Sequence, residues 1–329
     1  MSRSTAAPPT DAPAAGPPAP PTAVIGLGDI GSGVAGTLLG AGVDLVVCDV
    51  RPQATEPFRS GAAVAGTPRE AAASAEVLLV AVVDDAQVRD VVAGPDGVLA
   101  AGIPGRTVVV LSTVATTTVA GLAAEAEPHG VGVVDCGVSG GPSAAAAGEL
   151  VCMVGGSEEA FGRIRPVLDV LGSLVLHMGP VGAGLSAKLA RNVVQYGSWL
   201  AAYEAQVLAE AAGIRLPLLA QAIRESDKRI GGAATLMFRE TARPLRPEDP
   251  ADAGLVGPMG AAARLAHKDL RAAAALGASL GVDLPLTRLT DERADRIFGM
   301  SGVGGPAPGG EDRGGAEDRG GAGAGTPGD

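Results

Sequence analysis

A lysine and an amide four residues apart are the first groups in this chain that could do chemistry. Lys188 and Asn192 sit in "GAGLSAKLARNVVQYGSWLAAYEAQVLAEAAGI", a proline-free run that starts at Gly182 and is otherwise mostly small or apolar. Residues at i and i+4 share one helical face, so Lys188, Asn192, Gln195 and Trp199 are expected on one stripe. An amine held in an apolar cleft titrates below its reference value of about 10.4. It then becomes a proton donor and acceptor near neutral pH. The bland alternative is a salt-bridge partner or a cation reaching past an apolar surface to water.

A second group of residues points to a nucleotide. "AVIGLGDIGSGVAGTLLGAGVDLVVCDVR" places Gly26, Gly28 and Gly31 directly after an apolar run that reads as a strand. The first glycine permits a tight turn, the second a close approach of backbone to pyrophosphate, and the third close packing of helix on strand. The helix that follows offers unpaired N–H groups and a positive dipole end. Leu27, Asp29 and Ile30 fill out the loop and are expected to line the same cofactor. Asp49 ends the next strand at the spacing expected of a ribose-binding acid, which favours NAD. Arg51 could instead hold a 2′-phosphate, so NADP stays as the alternative.

Ligands of such sheets gather outside the carboxyl ends of the strands, and three further segments end there. In "VVDDAQV", Val83 lies at the cofactor edge, and the acids behind it read as a cap for the next helix. In "LSTVATTT", the Ser112 and Thr113 hydroxyls suit either the nicotinamide end of the cofactor or a helix cap. In "DCGVSGGPSAAAAGEL", Ser139, Gly140 and Gly141 form a compact donor nest suited to a carboxylate.

The elements that must position these groups follow from the pattern of apolar runs. From Thr22 to about His177, short β-rich runs ("AVIGL", "DLVVCD", "VLLVAVV", "TVVVLS", "GVVDC", "LVCMVG", "LVLHM") alternate with helical stretches. Runs apolar on both faces and separated by helices indicate a parallel sheet covered on both sides, the doubly wound α/β class. After Gly179 only helices are expected: the Lys188 segment, "PLLAQAIRESDKR", "MGAAARLAHKDLRAAAALGASLG" and "PLTRLTDERADRIFGM". The expected organisation is a Pro/Ala-rich tail over 1–21, a Rossmann domain over 22–181, an all-helical domain over 182–300 joined to it by a long helix, and a Gly-rich tail over 301–329. Both tails lack the apolar content that offsets ordering entropy.

Bulk composition narrows the function. A formal net charge of -11 and the lack of a basic stripe exclude a nucleic-acid partner. No apolar run has membrane-spanning length, and the first residues lack a secretory core. Cys48, Cys136 and Cys152 show no metal-ligand or redox spacing and read as core residues of a reduced, cytoplasmic protein.

Four stretches in order, "GLGDIGSGVAGTLLGAG", "DCGVSGGPSAAAAGELVCMVGG", "GPVGAGLSAKLARNVV" with "YEAQVLAEAAGI", and "HKDLRAAAALGASLG", resemble the β-hydroxyacid dehydrogenase family. Its members include 3-hydroxyisobutyrate dehydrogenase and tartronate semialdehyde reductase, and its helical domain is 6-phosphogluconate dehydrogenase-like. The resemblance implies an NAD(P)-dependent enzyme acting on a small β-hydroxy acid or its semialdehyde. It implies Lys188 as the catalytic lysine, Asn192 as its substrate-binding companion, and Ser139, Gly140 and Gly141 as the carboxylate site. Lys268 would reach toward the nicotinamide end, with Asp269 a structural partner of that segment, and Thr113 would lie near the cofactor. A homodimer or homotetramer is implied as well. The chain departs from the family at Cys136-Gly137, where Ala-Pro is usual, after Ser-Thr-Val, where a proline is missing, and at Arg191, where a second asparagine is common. Two other readings stay open: an imine reductase-type enzyme, against which Lys188 argues, and a non-catalytic dinucleotide-binding module.

Overall fold

The computed structural model describes residues 18–303. What is expected of the tails over 1–17 and 304–329 lies outside the described residues. The chain divides into two units at Gln195 and Tyr196. The first holds β1 (Thr22–Ile25), α1 (Asp29–Gly40), β2 (Leu45–Cys48), α2 (Pro52–Thr55), β3 (Ala63–Val64), α3 (Pro68–Ser74), β4 (Val77–Val80), α4 (Asp85–Ala93) and β5 (Thr107–Val110). There follow α5 (Thr116–Ala126), β6 (Gly132–Ser139), α6 (Gly141–Ala147), β7 (Leu150–Gly155), α7 (Glu158–Leu171), β8 (Gly172–Gly179) and the start of α8 (Ala183–Ala211).

The strands form one sheet in the order β3-β2-β1-β4-β5-β6-β7-β8. The chain reverses its direction of winding between β1 and β4, so their carboxyl ends flank a crevice. Alternation along each strand builds two cores. Ala23, Ile25, Leu78, Val80, Val108 and Val110 face one way, against Ala71, Val88 and Val119 of α3, α4 and α5. Val24, Val77, Leu79 and Val109 face the other, against Val34 and Leu38 of α1 and Ile164 and Leu168 of α7. β1, β2, β4 and β5 are buried on both faces, as their unbroken apolar runs require. Cys48, Cys136 and Cys152 are free thiols inside these cores. Burial, with Asp49 beside it, pushes the Cys48 thiol up to about 11.

Three details differ from the sequence reading. The sheet is not wholly parallel, because β7 pairs antiparallel to β6 while β8 runs parallel to β7. A two-residue strand, β3, sits at the edge with both residues exposed, too short and too open to leave an apolar signature. The third helix of the second unit begins at Pro250 rather than Met259 and carries Pro258 inside it.

That second unit comprises the remainder of α8 with α9 (Leu216–Ile230), α10 (Pro250–Ser279) and α11 (Pro285–Ile297). Glu204, almost fully buried, accepts hydrogen bonds from the Leu286 and Thr287 amides and the Thr287 hydroxyl at 2.6, 2.9 and 2.8 Å. These satisfy N–H groups that the first turn of α11 would otherwise leave orphaned. His267 and Arg271 of α10 both bond Asp291 of α11. Among the described residues, no helix is long and apolar enough to cross a membrane.

Candidate active site

The glycine loop leaves β1 at Gly26, whose φ of +90° suits glycine. A β-carbon at Gly31 would overlap the Gly26 carbonyl oxygen, so α1 lies as close to β1 as backbone allows. A β-carbon at Gly28 would meet nothing within 4 Å. The loop is therefore tight at its two ends and open at its middle.

Asp49, at the end of β2, braces this loop. One carboxylate oxygen accepts from the Leu27 amide at 2.7 Å, and the other from the Arg51 amide at 2.8 Å. The Arg51 guanidinium closes on the same carboxylate at 3.1 and 3.2 Å and reaches the Leu27 carbonyl at 3.3 Å. Burial would raise the Asp49 pKa, but the bonds from Arg51 and Leu27 outweigh it and hold the carboxyl below its ordinary range. Asp49 and Arg51, read separately from sequence as rival ribose and phosphate ligands, form one forked pair.

Beside the loop lies a cleft of about 360 Å³ lined by Gly28, Asp29, Ile30, Ala81, Val82, Val83, Leu111, Ser112, Thr113, Val138, Gly141 and Lys188. Five segments distant in sequence meet there because β1, β4, β5 and β6 run parallel and end at one edge. Thr113 lines the cleft, whereas the Ser112 hydroxyl is already engaged. It accepts from the Val82 amide at 2.9 Å and donates to the Val82 carbonyl at 2.8 Å, tying the exits of β4 and β5 together. Of the two acids after Val83, Asp84 caps α4 through the Gln87 amide at 2.9 Å. Asp85 accepts from the Ala115 amide at 3.1 Å and from the Thr118 hydroxyl, serving the start of α5.

Ser139 ends β6 and is buried, while Gly140 and Gly141 follow with φ of +128° and +75°. Successive glycines in such conformations turn backbone N–H groups toward a common point. Lys188 lies one turn into α8. Burial lowers its pKa, and the positive charge of Arg191 lowers it further. Asn192 is half-buried on the next turn of α8. Lys268 belongs to the second unit, where its exposed ammonium pairs with Asp269 at 3.1 Å.

Sequence reasoning passed over Asp135. It lies inside β6, fully buried, and its carboxylate accepts from the Gly182 and Leu185 amides, both at 2.6 Å. An acid in the middle of an apolar strand has to find partners, and that was the signal available.

Comparison with known proteins extends these observations. Residues 21–179 match the family described as the NAD binding domain of 6-phosphogluconate dehydrogenase. Residues 182–302 match the NAD-binding domain of NADP-dependent 3-hydroxyisobutyrate dehydrogenase. An uncharacterised oxidoreductase of Mycobacterium tuberculosis is 42% identical over 292 residues, covering 89% of this chain and 96% of the relative. The NAD-dependent L-serine dehydrogenase of Pseudomonas aeruginosa is 36% identical over 206 residues, 62% of this chain and 69% of the relative. Among solved structures, an oxidoreductase from Mycobacterium avium aligns with a TM-score of 0.77 at 36% identity, over 85% of this chain and 99% of its own. A Pseudomonas imine reductase, 22% identical with a TM-score of 0.67, covers 86% of this chain and 95% of its own and shares the fold.

Proposed function

The chain belongs to the 3-hydroxyisobutyrate dehydrogenase family of NAD-binding oxidoreductases, and on that premise we propose that it moves a hydride between NAD and a small β-hydroxy acid or the matching semialdehyde. One observation carries the reading: Lys188, its pKa lowered by burial, lines the same cleft as the glycine loop and Gly141. A proton-handling amine, a diphosphate cradle and an anion nest are the three parts such a reaction needs.

The fit to a dinucleotide rests on the open space over Gly28. Gly26, Leu27, Gly28, Asp29, Ile30 and Gly31 would hold the diphosphate, Asp49 with Arg51 the adenosine ribose, and Val83 and Thr113 the nicotinamide end. When bound, the nicotinamide accepts or donates the hydride. In oxidation the neutral Lys188 amine takes the hydroxyl proton. In reduction its ammonium donates to the carbonyl oxygen as negative charge develops there. Asn192 orients that oxygen, and Ser139, Gly140 and Gly141 hold the acid group, fixing the carbinol carbon relative to the amine.

Purified protein incubated with three- and four-carbon hydroxy acids and either NAD or NADP is expected to produce reduced nicotinamide absorbance with at least one acid, faster with NAD. Amine oxidation without hydroxy-acid turnover would favour the imine reductase reading instead. Tight NADH binding with no turnover of any substrate would favour a non-catalytic module.

The lowered pKa also fixes the direction of a pH effect. Oxidation needs the neutral amine, so its kcat/KM rises with pH through the Lys188 pKa, while reduction falls over the same range. Arg191→Gln removes a like charge, raises that pKa, and is expected to move the oxidative limb to higher pH. A pH profile of kcat/KM in both enzymes reads this directly.

Tyr196, Trp199, Leu200 and Tyr203 of α8 are exposed. Residues at these spacings line one side of a helix, and large exposed apolar patches mark interaction surfaces. This supports a homodimer or homotetramer, and a cytoplasmic place fits the reduced cysteines.

A further inference from the structure

We infer that Asp135 and Gly137 are positioning residues: together they fix where α8 takes root on β6 and so how far Lys188 stands from Ser139. The inference rests on the reading of Lys188 as the proton-handling group.

Residues 135, 137 and 139 alternate onto one face of β6. Asp135 grips the start of α8 with both oxygens, one on the Gly182 amide and one on the Leu185 amide, each at 2.6 Å. It is fully buried, and among the described residues no cation pairs with it, so these two donors are its partners. An anion at a helix N-terminus is favourable, and charge-assisted bonds of this length are the strong kind. The helix root is thereby pinned in two places rather than one.

Gly137 sets the second coordinate. A β-carbon there would overlap the Lys188 β-carbon and stand 3.0 Å from the Gly184 carbonyl oxygen. Lys188 therefore crosses β6 directly over Gly137, in contact with backbone. At ~3.3 Å per strand residue, Ser139 lies about 7 Å further along, a span left to the lysine's own stem. The same strand thus carries the anchor of the helix, the seat of the lysine and the start of the anion nest. A slip of α8 by one residue would displace the amine by ~1.5 Å along the helix axis.

Small displacements matter in such a site: a misplacement of about 1 Å can cost roughly 10²-fold in rate. Asp135→Asn leaves one oxygen to accept and turns an amide nitrogen toward the other N–H, so one of the two pins is lost. The expected result, measured with the fastest acid of the panel, is a fall of about 10- to 100-fold in kcat per NADH-binding site. KM for NAD and Kd for NADH should stay within about twofold, since the glycine loop is untouched. A merely structural role would lower the number of NADH-binding sites and leave kcat per site alone. Deuterium at the carbinol carbon of that acid should slow each variant at least as much as the unaltered enzyme, placing the loss in the chemical step.

Gly137→Ala tests the same spacing from the lysine's side while keeping every hydrogen bond, and it carries the decision if Asp135→Asn does not accumulate folded. The same loss of kcat per site is expected. Unchanged kcat per site in either folded variant, beside an inactive Lys188→Ala, overturns this inference alone. Failure of both variants to fold also overturns it, because a positioning role requires an intact fold with a displaced lysine. Full turnover by Lys188→Ala would instead overturn the functional reading beneath it.

Discussion

Lys188→Ala is expected to lower kcat by about 10²- to 10⁴-fold, the range that a positioned acid–base group contributes, while NADH still binds. The two halves of that result come from separate parts of the cleft. The glycine loop proposed to cradle the diphosphate is built by Gly26, Gly28 and Gly31 and braced by Asp49, none of which depends on the lysine. The proton, by contrast, has few other takers: besides Lys188 and Asp29 the cleft is lined by glycine, aliphatic side chains and two hydroxyls, and Ser112 is committed to Val82. Fluorescence titration with NADH beside steady-state turnover separates the effects. Retained kcat with normal NADH affinity would remove Lys188 from the chemistry.

Gly31→Ala is the second large effect, and it acts through packing. Its β-carbon would fall on the Gly26 carbonyl oxygen and 3.4 Å from the Ala81 β-carbon. Backbone cannot yield as a side-chain tip can, so α1 must move off the sheet. Overpacking a core costs about 1–3 kcal/mol, and a backbone collision belongs at the upper end. For a domain of this size about 3 kcal/mol corresponds to a fall in Tm of roughly 6–12 °C, accompanied by weakened NADH binding as the loop opens. Gly28→Ala provides the contrast. Gly28 is in extended backbone with open space beside it, so the variant should melt like the parent and lose cofactor affinity alone. Thermal melts and NADH titrations of both variants check this. A Gly31→Ala protein indistinguishable from the parent would refute the close approach.

Much of the first unit was legible in its sequence because the signals there are local. A glycine loop between an apolar run and a helix announces itself, and each strand buried on both faces leaves a continuous run of valine and leucine. The antiparallel turn of β7 left no such mark. A strand buried from both sides reads alike in either direction, and only the length and path of its connections distinguish them. The start of α10 was hidden by Pro258, which reads as a boundary although Asp249 caps the helix nine residues earlier.

Part of the candidate site was legible as a set of residues that share a cleft, and none of it as a network. Gly28, Asp29, Ile30, Val83, Thr113, Gly141 and Lys188 do line one cleft, because parallel strands deliver their ends to one edge. The bracing of Leu27 by Asp49, the clasp of Arg51 on that acid, and the Ser112 tie to Val82 depend on distances between loops that spacing along the chain does not encode. Asp135 is the clearest case, since its two partners lie 47 and 50 residues downstream.

The reversed pair β7 and β8 has a consequence for the route the chain takes afterwards. Had both run with their neighbours, β8 would have finished at the ligand-facing margin, and the following helix would have set out from there, leaving no helical residue over the middle of β6. Because they run backward, the chain leaves the edge strand β8 level with Asp135, and the helix then travels alongside β6 in that strand's own direction. The lysine thus comes to the cleft along β6, its stem half-buried against that strand.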